Sequence, residues 1–127
     1  MFKVLLLVGS GGFLGSISRF LLSKYLTQPD SASFPTGTFV VNIVGCLIIG
    51  ILMGLSVKSA LSSEMNFFLA VGFCGGFTTF STYSLQAFTL LEKGQVGMSL
   101  IYALGSVIAG LLCVWLGYWM IHSLLVN

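Results

Sequence analysis

Eight charged side chains lay out this 127-residue sequence: Lys3, Arg19, Lys24, Asp30, Lys58, Glu64, Glu92 and Lys93. They divide it into uncharged runs at 4–18, 31–57, 65–91 and 94–127. Charges make up only 6% of the residues and apolar side chains 57%, whereas a soluble domain carries about 25% charged residues. So few charges cannot cover a water-facing surface, so the solvent must largely be lipid. A helix needs roughly 20 apolar residues to cross a bilayer. Three runs suffice alone, and the first reaches that length once Arg19 and Lys24 extend their charged ends toward the headgroups. The sequence therefore predicts an all-α integral membrane protein, a single domain over 1–127, with four spanning helices at about 4–24, 37–57, 66–90 and 98–122.

Lys3 before Val4-Leu5-Leu6-Leu7-Val8 has the outline of a signal peptide, but the apolar stretch is short and no Ala-x-Ala site follows. The alternating pattern of an outer-membrane barrel is absent. Loops are expected at 27–35, which holds both prolines, at 56–64 and at 92–95. Orientation follows Lys and Arg in short loops. Four spans put Lys3 and Lys58 on one side and Arg19, Lys24 and Lys93 on the other, which is almost no bias. Two explanations stand: topology is set by other features, or copies insert both ways and pair as an antiparallel homodimer.

Glycines recur inside the spans as Gly11-x-x-x-Gly15, Gly50-x-x-x-Gly54 and Gly72-x-x-x-Gly76, a spacing that lets helix backbones approach closely in lipid. The string 9–15 only superficially resembles a dinucleotide loop: its third glycine is displaced, and no strand–helix unit with a downstream acid surrounds it. Cys46, Cys74 and Cys113 are scattered one per span and read as small core residues.

No carboxylate lies inside any expected span, and His122, the only histidine, falls near the end of the fourth. Proton-coupled transport generally needs an intramembrane acid or histidine. Neither a nucleophile–base pair nor a metal-ligand cluster can be assembled, so no enzyme is expected. The interior groups are neutral: Asn42 in span two, Ser99, Tyr102 and Ser106 in span four, and Thr78, Thr79, Ser81, Thr82, Tyr83 and Ser84 in span three. Buried without partners, each hydroxyl would cost on the order of 1–3 kcal/mol. Such a cluster either knits helices together or lines a wet path.

Span three also has a backbone problem. Gly75-Gly76 followed by Thr78-Thr79 is poor helix sequence. The uncharged run 65–91 would extend ~40 Å as one helix against a hydrocarbon core of ~30 Å. A break mid-membrane relieves both. Unwound backbone is tolerated there only inside protein or beside a wet cavity, where carbonyls can face cations and helix N-termini anions. Phe80 and Tyr83, three apart, would share a helical face, and an aromatic edge can meet an anion.

The string Gly75-Gly76-Phe77-Thr78-Thr79-Phe80-Ser81-Thr82-Tyr83-Ser84 resembles the Fluc (CrcB) fluoride channels, as do Asn42 within 37–42 and Gly11-Gly12-x-x-Gly15-x-x-x-Arg19. The resemblance runs the length of the chain. It implies a dual-topology antiparallel homodimer with two pores and passive fluoride efflux across the cytoplasmic (inner) membrane of a prokaryote. It also implies a structural Na⁺ at the dimer centre, held by the backbone carbonyls of Gly75 and Thr78. Carried over by position, the fluoride path would use Asn42, Thr79, Phe80, Ser81, Tyr83, Tyr102 and Ser106, with Arg19 a vestibule or structural charge. Neutral donors suit an ion that must be bound yet released. Two positions depart from the pattern: Tyr83 stands where the family typically has Phe, and Gln86 where many relatives carry Glu. The competing functions are a small dual-topology multidrug transporter, which needs the missing membrane acid, and a non-transporting assembly subunit, which needs no polar break.

Overall fold

The computed structural model describes residues 1–27 and 34–126, and these form helices without a strand. Most of the loop expected at 27–35, Asp30 included, lies outside the described residues. Helix α1 covers Phe2–Leu26, α2 Thr36–Val57, α3 Ser63–Asn66, α4 Gly75–Phe77, α5 Phe80–Glu92 and α6 Val96–Val126. Between α3 and α4, residues Phe67–Cys74 wind as a wider π-helix, so 63–77 is one continuous helical rod. α1, α2 and α6 are each long and apolar enough to cross a membrane. The third expected span differs: its two helical pieces are separated at Thr78 and Thr79, both extended, so neither piece alone has that length.

Local chemistry explains the boundaries. The Ser62 hydroxyl caps α3 by accepting the Met65 N–H at 3.2 Å. Thr79 caps α5, its hydroxyl accepting the Thr82 N–H at 3.3 Å. Gly94, at φ +74°, supplies the left-handed turn between α5 and α6. The π-helical winding has no evident cue in local sequence.

Packing fixes the chain directions. The rod 63–77 runs parallel to α1: Lys3 pairs with Glu64, and Gly76 lies against Gly12. A methyl group built on Gly11, Gly15 or Gly76 would strike facing backbone, so this contact exists only because these residues are glycine. α2 and α6 are likewise parallel, Gly50 against Val114 and Gly54 against Ile121. α2 runs antiparallel to α1, with the Thr36 hydroxyl donating to the Leu26 carbonyl at 2.6 Å. α5 runs antiparallel to α6, with Ser99 donating to the Ala87 carbonyl at 2.7 Å. The chain thus keeps one heading through the break at 78–79 while passing from α1 to α6.

The interior is small. Among the large side chains of the described residues only Val41 and Tyr102 are wholly buried, while Phe13, Phe20, Phe80, Leu111 and Trp115 stand outward. In water that outer face would be untenable. In lipid it is the expected arrangement, with glycines at the contacts and apolar side chains outside. The protein is a multi-pass membrane protein.

Candidate ion pathway at the helix break

Thr79 is 8% exposed, so its backbone groups need partners. In a continuing helix its N–H would bond the Gly75 carbonyl. Here it donates to Asn42 Oδ1 at 2.8 Å, while Asn42 Nδ2 donates to the Thr79 carbonyl at 3.2 Å. The helical rod ends with the Thr78 N–H bonded to the Cys74 carbonyl at 3.0 Å. The carbonyl end of one helix and the N–H end of another therefore meet at one place. The first attracts cations, and the second, at Phe80 and Ser81, attracts anions.

Two cavities meet at Thr79. The first, about 440 Å³, is bordered by Asn42, Cys74, Gly75, Thr78, Thr79 and Phe80. The second, about 380 Å³, is bordered by Arg19, Lys24, Thr38, Thr79, Thr82 and Gln86. Both positive charges in the second cavity reach it from α1, little more than one turn apart. Among the described residues no carboxylate borders either cavity, so the second is a donor-rich, positive space.

Most of the residues singled out in the sequence converge here. Gly75 and Thr78 border the first cavity, and a methyl group on Gly75 would meet open space. The Thr78 hydroxyl is turned back onto the Cys74 carbonyl at 2.9 Å, leaving its backbone carbonyl as the available group. The Thr79 hydroxyl lies 3.0 Å from that of Thr82 and 3.4 Å from that of Ser81. Phe80 is 80% exposed although it begins a helix at the break, and its ring lies 5.6 Å from that of Tyr83. Arg19 borders the positive cavity.

Three residues are placed differently from free pore donors. The Tyr83 hydroxyl donates to the Ala103 carbonyl at 2.9 Å, tying α5 to α6. Tyr102 is fully buried and its hydroxyl donates to Gln86 Oε1 at 2.9 Å. Ser106, one turn further along α6, has a buried hydroxyl oxygen without a partner among the described residues, and it borders neither cavity. Sequence reasoning missed the polar stripe of α1. Ser16, Arg19, Ser23 and Thr27 all border the positive cavity, and their spacing of three or four was the available signal.

The family model described as "CrcB-like protein, Camphor Resistance (CrcB)" matches residues 6–118. The chain belongs to the CrcB family. A Chlorobium phaeobacteroides protein named "Fluoride-specific ion channel FluC" is 47% identical over 91% of both chains. Proteins of the same name from a Thermus thermophilus strain and from Phocaeicola vulgatus are 48% and 42% identical, covering 89% and 93% of this chain and 89% and 98% of their own. The matched region of the family includes the break, both cavities and the whole of α2 and α5.

Proposed function

We propose that this chain is a fluoride-selective channel giving passive fluoride efflux across the cytoplasmic (inner) membrane of a prokaryote, lowering cytoplasmic fluoride and so its toxicity. The reading rests on CrcB-family membership, with relatives named as fluoride-specific channels. The observation that carries it to particular residues is the break at Thr78–Thr79. There a cavity bordered by Arg19 and Lys24, and among the described residues by no carboxylate, leads to a cluster of neutral hydroxyls and an exposed aromatic ring. Fluoride is small and tightly hydrated, so a path must replace its water with strong donors. Thr79, Ser81 and the edges of Phe80 and Tyr83 supply them without a full charge that would hold the ion too long. Arg19 serves the mouth of the path. Tyr102 acts from behind the path, its hydroxyl on the Gln86 that borders the positive cavity, and Ser106 lies one turn further along α6, outside both cavities.

In this reading 1–127 is one channel domain crossing the membrane four times, the third crossing being the rod 63–77 plus α5. The alternating helix directions support that count. The working unit is an antiparallel, dual-topology homodimer. Supporting it are the near-balanced loop charges and the bare faces of Gly75 and Phe80, which a second copy would cover. Residues at the break fit a structural Na⁺ at the dimer centre, because Gly75 and Thr78 present carbonyl oxygens, the ligand type a hard cation takes. The ion would pin two broken helices together. Density for it at those carbonyls in a crystal of the dimer, or its absence there, decides the point.

The experiment for the function is a fluoride electrode outside proteoliposomes loaded with potassium fluoride. Rapid release on adding a potassium ionophore supports the proposal. Release no faster than from protein-free vesicles, with the protein shown to be inserted, rejects it.

A further inference from the structure

Asn42 is a sequence-level candidate for contact with the moving anion, but the structure gives its side chain another occupation. Its oxygen accepts the Thr79 N–H at 2.8 Å and its nitrogen donates to the Thr79 carbonyl at 3.2 Å. One side chain thus brackets both backbone polar groups of one residue. That residue is buried, extended at φ −149° and ψ 115°, and its N–H has left the helical ladder. It also borders both cavities. Its hydroxyl is the hub of the local network, accepting the Thr82 N–H and lying within reach of the Thr82 and Ser81 hydroxyls.

We propose that Asn42 is a positioning residue that acts on conduction through Thr79. The carboxamide replaces the backbone bonds lost at the break and holds the Thr79 hydroxyl in the wall shared by the two cavities. The geometry leaves Asn42 little else to offer. Its oxygen is committed to an N–H, and as an acceptor it could not bind an anion in any case; one of the two Nδ2 hydrogens is committed to a carbonyl. Without the bracket, the buried Thr79 N–H must find water or pull back toward the Gly75 carbonyl. Either outcome rotates the hydroxyl away from the partition. The inference deepens the channel reading and rests on it for the ion that moves.

The test combines a flux cycle with a measurement on the backbone. Fluoride efflux is compared for native protein, Asn42→Ser, Thr79→Val and the double variant, each confirmed as folded and inserted. Thr79→Val deletes the hydroxyl but keeps the backbone groups that Asn42 holds. If Asn42 works through that hydroxyl, Asn42→Ser slows native efflux at least tenfold, yet slows the Thr79→Val protein less than twofold further. Losses that multiply make Asn42 an independent ligand and overturn the proposal, as does Thr79→Val with native flux. In parallel, amide hydrogen exchange at Thr79 is followed by NMR in detergent micelles. Asn42→Ser should accelerate it at least tenfold, and an unchanged rate overturns the bracket whatever the flux shows, including when Thr79→Val conducts nothing. Absence of fluoride flux in the native protein would instead count against the channel reading, while the exchange measurement still judges the bracket.

Discussion

Gly75 and Gly76 are neighbours in the sequence, and the structure gives them opposite sensitivities to the same added methyl group. On Gly76, that carbon would stand 3.0 Å from both the Cα and the carbonyl carbon of Gly12, and nearer still to its oxygen. Carbon–carbon contacts rest at ~3.5–4.0 Å, so α1 and the rod 63–77 must separate by about 0.5–1 Å. The obstruction is backbone, so no rotamer change relieves it. Overpacking costs about 1–3 kcal/mol, and the upper half, about 2–3 kcal/mol, is expected for Gly76→Ala. On Gly75 the same carbon meets nothing within 4 Å, so Gly75→Ala should alter the stability of the single chain by less than ~0.5 kcal/mol. In the proposed dimer that open face is covered, so Gly75→Ala should weaken association. The assay is an SDS titration in mixed micelles at low protein concentration, read from the fluorescence of Trp115 and Trp119, with the dimer population measured separately by energy transfer between labelled copies. Gly76→Ala unfolding at the native SDS fraction would refute the close-packing argument. Native dimer affinity in Gly75→Ala would refute the placement of the partner.

Three further substitutions separate the roles assigned above. Phe80→Ile keeps an apolar side chain but removes the aromatic edge, so vesicle flux should be lost while cross-linking still reports the dimer; retained flux would remove Phe80 from the path. Tyr83→Phe keeps the ring and deletes the hydroxyl bonded to Ala103; it should cost ~1 kcal/mol in an SDS titration and leave flux within about twofold, whereas loss of flux would make the hydroxyl itself a pathway donor. Lys3→Met breaks only the exposed pair with Glu64; thermal unfolding should move by less than ~1 kcal/mol equivalent, and a larger shift would mean the α1–α3 ends are joined more tightly than solvent-screened charges allow.

The three long apolar helices were legible because lipid enforces a coarse rule: long uncharged runs become helices. α2 begins one residue before its expected start, at Thr36, and ends at Val57 as expected. α1 and α6 overrun their expected ends, because Lys3 and Lys24 are long enough to remain solvated from within a helix and the residues after 122 stay apolar. Gly75-Gly76 and Thr78-Thr79 are locally weak in helix, and the structure has Thr78 and Thr79 extended between two helical pieces. The π-helical winding of 67–74 was not legible, since its residues serve an α-helix equally well. Hydrogen-bond partners were hidden for a different reason. Composition shows that Asn42, Tyr83 and Tyr102 have donors, but only the fold reveals that these donors are engaged with Thr79, Ala103 and Gln86. The positive cavity needed both kinds of information, periodicity along α1 and the approach of Thr38 from α2, Thr79 from the break and Gln86 from α5.

The central claim is selective passage of fluoride, and paired anion efflux tests it most directly. Proteoliposomes are loaded with equal potassium fluoride and potassium chloride, diluted into an impermeant-anion buffer, and opened to potassium with an ionophore. Fluoride and chloride electrodes then record the same sample. The account predicts rapid fluoride release with chloride retained at the rate of protein-free vesicles, and loss of the fluoride signal in Phe80→Ile. Equal release of both ions, or release of neither from correctly inserted native protein, would contradict it.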